Sequence, residues 1–251
     1  MIRTLQDHEK SALPAGRADL LLAAAGPDAP APGPLTLSVE ALTPFAVIRI
    51  LDLGLTSAPE RYETVTFGID PEGPFDAKIV FEKGREFGRY YKPAGDYVIL
   101  GETGSPVMAD TAALLKPLSG MGLFEQLGRT ADGFLMFAAG FMLEACRRFP
   151  VVLGGGSRMA AALLIANRVV HRDGLPMDPR KLTLCTAEGI AETERSVTLS
   201  LLGQLDFRPR TLYVELPSYD KGESYAGAAL AYGTMQGLTI AQITARAERG
   251  A

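Results

Sequence analysis

The chain has 251 residues, 47% of them hydrophobic, with 25 Lys+Arg against 29 Asp+Glu and a formal net charge of −4. That length suits one large α/β domain or two small ones with a substantial core, and the mild acidity excludes nucleic acid as an expected main partner. The two cysteines, Cys146 and Cys185, lack metal-ligand spacing, and His8 and His171 lie far apart, so structural thiols are expected and a metal site is not. No apolar run reaches about 18 residues and the amino terminus lacks a signal-peptide core, so no membrane association and a cytoplasmic location are expected.

Residues 1–38 read as an amino-terminal arm or edge segment, with a short apolar element at 20–25 and an extended P-D-A-P-A-P-G-P run at 27–34. The α/β domain is expected over 39–251. Thr43-Pro44 has the form of an N-cap followed by proline at the first helical position. The apolar spacing of Phe45, Val47, Ile48, Ile50 and Leu51 then predicts a helix ending at Gly54. A strand is expected at 63–69, then a helix at 77–91 with apolar Ile79, Val80, Phe81 and Phe87 on one side and a solvated charge run on the other.

A second strand, D-Y-V-I-L at 96–100, delivers the loop G-E-T-G-S-P. A short helix is expected at 110–116, stopped by Pro117, and a nearly apolar one at 134–148, which reads as buried and as a candidate contact with a second subunit. Residues 150–170, P-V-V-L-G-G-G-S-R-M-A-A-A-L-L-I-A-N-R-V-V, predict a strand, a triple-glycine turn and a helix with Ser157 as N-cap. Such a turn suits either a phosphate or carboxylate at the helix start or an ordinary strand-to-helix connection. Strands at 182–185 and 211–216 and helices at 192–205, 226–233 and 238–249 complete the chain. Strand, loop and helix recur, so the expected fold is a doubly wound, mostly parallel sheet of about five to six strands with helices on both faces.

In such a sheet the ligand sits outside the carboxyl ends of the strands. Three loops, 101–105, 154–158 and 218–225, carry candidate residues there: Gly101, Glu102, Thr103, Gly104 and Ser105; Gly154, Gly155, Gly156 and Ser157; and Lys221, Gly222 and Glu223. Glu102 and Glu223 each follow a glycine, so two carboxylates are expected to face one pocket, where desolvation suits a carboxylate to take a proton near neutral pH. The alternative is that both are solvated loop acids.

The order L-G-E-x-G, V-x-L-G-G-G-S-x-M-A-A and K-G-E-S-Y-A-G-A-A-L-A, with T-P-F-A-V-I-R at 43 and F-E-K-G-R-E-F-G at 81, resembles the nicotinate-nucleotide:dimethylbenzimidazole phosphoribosyltransferase family, in particular its archaeal-type branch. The resemblance runs from about residue 40 onward. It implies phosphoribosyl transfer from nicotinate mononucleotide to a benzimidazole-type base, giving the α-riboside phosphate of the cobalamin lower ligand, without a cofactor or metal and in a homodimer. It makes Glu223 the general base and places Glu102 in the base pocket. The triple glycine with Ser157, and Lys221, become the candidates for the nucleotide's phosphate and carboxylate. After the G-E position, Ser105-Pro106-Val107-Met108-Ala109-Asp110-Thr111 departs from the family's glycine- and threonine-rich turn, since proline removes a donor and Asp110 repels phosphate. A second reading is therefore a non-catalytic nucleotide-binding or assembly homologue. A dinucleotide-dependent oxidoreductase is a third, but Met159 stands where the fingerprint needs Gly or Ala, and the next strand ends in Cys185-Thr186-Ala187 rather than in an acid that could hold a ribose.

Overall fold

The computed structural model describes residues 2–4, 14–26, 33–55, 60–70, 74–103, 111–115, 122–187, 192–214 and 226–249. Eight strands form one sheet: β1 (Ile2–Thr4), β2 (Ala18–Gly26), β3 (Val47–Leu55), β4 (Glu63–Thr66), β5 (Tyr97–Thr103), β6 (Val151–Gly154), β7 (Leu182–Ala187) and β8 (Arg210–Val214). The spatial order is β1-β8-β7-β6-β5-β2-β3-β4. All seven strands from β2 to β8 run parallel, and β1 closes the β8 edge antiparallel. The doubly wound architecture is as expected, with more strands than the sequence suggests.

Successive side chains of a strand alternate between faces, and both faces here are apolar. Leu21, Ala23, Val98, Leu100, Val151, Leu153, Leu182 and Leu184 join one core with α2 (Ala77–Tyr90), α3 (Leu123–Thr130), α4 (Gly133–Ala145), α5 (Ser157–Asp173) and α6 (Glu192–Leu202). Leu20, Leu22, Ala24, Tyr97, Ile99, Val152, Leu212 and Val214 join the other with α1 (Pro34–Leu42), α7 (Ala226–Met235) and α8 (Ile240–Glu248). Burial on both sides explains the continuous apolar runs of the inner strands. Cys146 and Cys185 are buried free thiols in opposite cores, and burial pushes the Cys146 thiol up to about 11.

Several expectations are corrected. Ala18–Gly26 is an inner strand, hydrogen-bonded to β3 on one side and β5 on the other, and not an arm or edge. Residues 47–55 form that β3 partner, not a helix, because Val47, Ile48 and Ile50 are β-branched and fit a pleated surface. The cap signature at 43–44 is instead the end of α1: Thr43 is its C-cap, and the proline at a helix start is Pro34 after Gly33. Helix α4 is apolar because its own chain encloses it, with every residue from Phe134 to Ala145 buried, so it presents no face to a second subunit. Residues 111–115 form a 3-10 turn, not an α-helix.

At the amino end of the sheet, buried Asp19 on β2 ties the chain before β5. Its carboxylate accepts hydrogen bonds from the Tyr91 hydroxyl at 2.6 Å, Ala94 N at 2.9 Å and Gly95 N at 2.8 Å. The end of α2 is closed nearby by Arg148, whose Nη1 donates to Arg89 O and Tyr91 O, both at 2.7 Å. Arg148→Ala should therefore lower stability by about 1–2 kcal/mol, read as a shifted urea midpoint without a changed slope.

Candidate functional site

The parallel strands run outward from the β2–β5 seam in both directions, so the strand order reverses there. Helix α1 follows β2 into one core, whereas α4 and α5 lie in the other. In this class of sheet ligands bind in the crevice outside the carboxyl ends of the strands at such a reversal, which here falls between β2 and β5. Register places Ala24 beside Thr103 and Gly101 beside Gly154, so the ends of β2, β5 and β6 are adjacent.

Glu102, at the penultimate position of β5, is not a solvated loop acid. Its side chain is 16% exposed and takes a two-pronged ion pair from Arg158 in the first turn of α5, Nε to Oε2 and Nη2 to Oε1, both at 2.7 Å. Arg158 Nη2 also donates to Asp132 Oδ2 at 2.7 Å. The other oxygen of Asp132 caps α4 by accepting from Leu135 N at 2.9 Å. The guanidinium carbon lies 5.2 Å from the centroid of the Phe134 ring, within cation–π range. Arg158 Nη1 is buried with no partner among the described residues. One side chain thus fastens the end of β5, the start of α4 and the start of α5.

Burial pushes the Glu102 carboxyl above its usual range, while hydrogen bonding and charge from Arg158 oppose the shift. Two carboxylates against one guanidinium leave this trio with one net negative charge when all are ionised.

The triple-glycine turn follows β6, whose last residue is Gly154. Gly155 N donates to Cys185 O at 3.0 Å, so that N–H serves the β6–β7 junction. A Cβ on Gly155 would lie 2.8 Å from Met159 Cγ, so the missing side chain makes room for Met159. Gly156, not Ser157, is the N-cap of α5, and Ser157 is its first helical residue, buried at 9% exposure. The helix thus begins without a side-chain cap at Gly156, the opposite of the cap expected at Ser157. Gly101 and Thr103 are buried at the end of β5, and a Cβ on Gly101 would meet Leu22 Cδ2 at 3.1 Å.

Gly104, Ser105, Lys221, Gly222 and Glu223 lie outside the described residues. Sequence reasoning missed Asp132 and gave no role to Arg158, which closes the 154–158 loop. The available signal was Arg158 itself, since a cation in the first turn of a helix opposes the macrodipole and calls for an acidic partner.

No helix among the described residues is long and apolar enough to cross a membrane. No family model matches the chain. Over 138 residues it is 27% identical to a UPF0284 protein of Picosynechococcus sp., a match covering 48% of this chain and 38% of that protein. The match therefore spans well under half the length of that curated relative. Among solved structures it is similar to a nicotinate-nucleotide-dimethylbenzimidazole phosphoribosyltransferase from Thermus thermophilus, with a TM-score of 0.57 and 19% identity over 92% of this chain and 82% of that one. A structure of CobT from the same organism gives a TM-score of 0.56 and 18% identity with the same coverage. At these identities the likeness establishes architecture: this chain has a CobT-like α/β fold.

Proposed function

We propose that the protein transfers a phosphoribosyl group from nicotinate mononucleotide to a benzimidazole-type base at the crevice outside β2 and β5. The observation that carries this reading is the part-buried, ion-paired Glu102 at the end of β5, beside the strand reversal of a CobT-like sheet. In the reaction the azole nitrogen bonds to the ribose anomeric carbon as the pyridinium–carbon bond breaks. The bonding pair leaves with the ring nitrogen, so nicotinate departs with a neutral ring, and the azole N–H proton goes to a carboxylate. Glu223 is the proposed base, since Glu102 already holds a guanidinium.

The test is chromatography of the purified protein incubated with nicotinate mononucleotide and 5,6-dimethylbenzimidazole. Riboside phosphate and nicotinate should appear together. No product with any benzimidazole or phenolic acceptor would sink the transferase reading. Glu223→Gln should lower kcat by about a hundredfold or more, the usual span for a general base, while the nucleotide Kd stays within about threefold.

The engagement of Glu102 by Arg158 and the altered residues 105–111 also favour a second reading, a nucleotide-binding homologue without turnover. It predicts that nicotinate mononucleotide raises the melting temperature while no acceptor yields product.

A further inference from the structure

The geometry points to Arg158 as a positioning residue that holds Glu102 as a fixed, acceptor-only carboxylate. Glu102 thereby selects the part of the ligand that bears a neutral hydrogen-bond donor. The inference rests on the nucleotide reading of the crevice and extends it to what Glu102 reads.

A carboxylate has about four lone-pair positions on its two oxygens. The Arg158 fork uses one on each, which fixes the carboxylate plane and leaves the other positions able to accept from a ligand. Protonated Glu102 would lose part of that capacity and would not match the fork. Among the described residues, the charged groups facing Glu102 are Arg158 from α5 and Asp132 from the N-cap of α4. Arg158 alone favours the ionised form. The net negative charge of the trio disfavours a phosphate or carboxylate against Glu102, so the anionic parts of a nucleotide belong elsewhere. A ribose hydroxyl remains as the neutral donor for Glu102, since the azole N–H is the proton assigned to Glu223, and a penalty on the 1-methyl base instead would move that role to Glu102. The buried Nη1 without a described partner costs stability, a cost expected where a side chain is placed for function more than for packing.

Calorimetric titration separates the two donors. Wild type, Glu102→Gln, Arg158→Gln and Arg158→Lys are titrated with nicotinate mononucleotide and its 2′-deoxy and 3′-deoxy analogues, and with 5,6-dimethylbenzimidazole and its 1-methyl derivative. Loss of the donor that Glu102 receives should weaken wild-type binding about tenfold, the range for a hydrogen bond to a charged group. In Glu102→Gln and Arg158→Gln that penalty should fall below about threefold, with partial recovery in Arg158→Lys, which restores charge without the fork. In parallel, carbon-13 carboxylate titration of the unliganded proteins should show Glu102 titrating higher in Arg158→Gln than in wild type. An intact penalty in Arg158→Gln, or an unmoved Glu102 titration, overturns the inference. So does wild type binding every compound without preferring a donor. If wild type binds neither parent compound, the proposed function fails, and the Glu102 titration still decides the role of Arg158.

Discussion

Gly140→Ala should destabilise the protein by about 3 kcal/mol, although the same exchange within an ordinary helix usually stabilises by about 0.5–1 kcal/mol. The reversal of sign follows from the α2–α4 crossing. A Cβ at Gly140 would fall inside the van der Waals radius of Phe81 O and lie 2.9 Å from Arg85 N, both backbone atoms of α2. In the other direction, a Cβ at Gly88 would lie 2.5 Å from Phe141 O, and one at Gly84 would collide with Phe137 O. Three glycines therefore let two helix backbones touch, and no rotamer change can relieve a clash with backbone. The helices must separate, which loosens the core around Phe81, Phe137 and Phe141. For a chain of this size the loss corresponds to a melting temperature lower by about 6–12 °C. Gly128→Ala on α3 is the control, because its Cβ meets nothing within 4 Å, and it should leave stability equal or slightly higher.

Replacing Glu144 is the second severe change expected. Its side chain on α4 is 4% exposed, with Arg85 at 2.6 Å, Arg89 at 2.9 Å and Arg147 at 3.1 Å. Glu144→Ala should cost about 3–5 kcal/mol, the usual result of stranding the partners of a buried charge, less to the extent that Arg89 and Arg147, both about half exposed, turn to solvent. Burial alone would raise the Glu144 carboxyl, but hydrogen bonds from Arg89 and Arg85 overcome that and hold it below its usual range. A lowered carboxyl stabilises the fold fully above the unfolded-state value of about 4.3 and loses that contribution as pH falls through the folded value. Urea unfolding should therefore show wild type weakening below about pH 4, and Glu144→Gln, less stable at pH 7, should weaken less over the same interval. Equal slopes would show that the ion cluster carries no such linkage.

The sequence reveals most of this fold where burial makes it simple. Residues 97–100, 151–153 and 182–185 are short apolar runs and are strands, because inner parallel strands are covered on both faces. Local signals mislead where two structures share them. Thr43-Pro44 has the chemistry of a helix start, yet it follows a helix that already begins on its own proline, Pro34. Ala18–Gly26 is rich in alanine, a poor strand former, and only pairing on both edges makes it a strand.

The site divides in the same way. Glu102 is legible because a strand must end near it, and the glycines because turns need them. Its bonding is not legible, since Arg158 reaches across 56 residues to Glu102 and 26 to Asp132, and no local pattern encodes such a pair. Even the glycine turn misleads in part. Gly155 serves a neighbouring carbonyl and a methionine, needs that are invisible before the sheet is assembled.

The inner position of β2 also governs how the chain can assemble. Ala18 pairs with Tyr97, 79 residues later, and with no nearer strand on that edge. During synthesis β2 and β3 can meet early, but the other hydrogen-bonding edge of β2 stays open until β5 has emerged. Closing so long a loop is slow, and an unpaired apolar strand is a template for intermolecular pairing. Aggregation risk is thus concentrated in the interval between the emergence of β2 and β5, and conditions that lengthen it should reduce soluble yield more than changes near the carboxyl terminus.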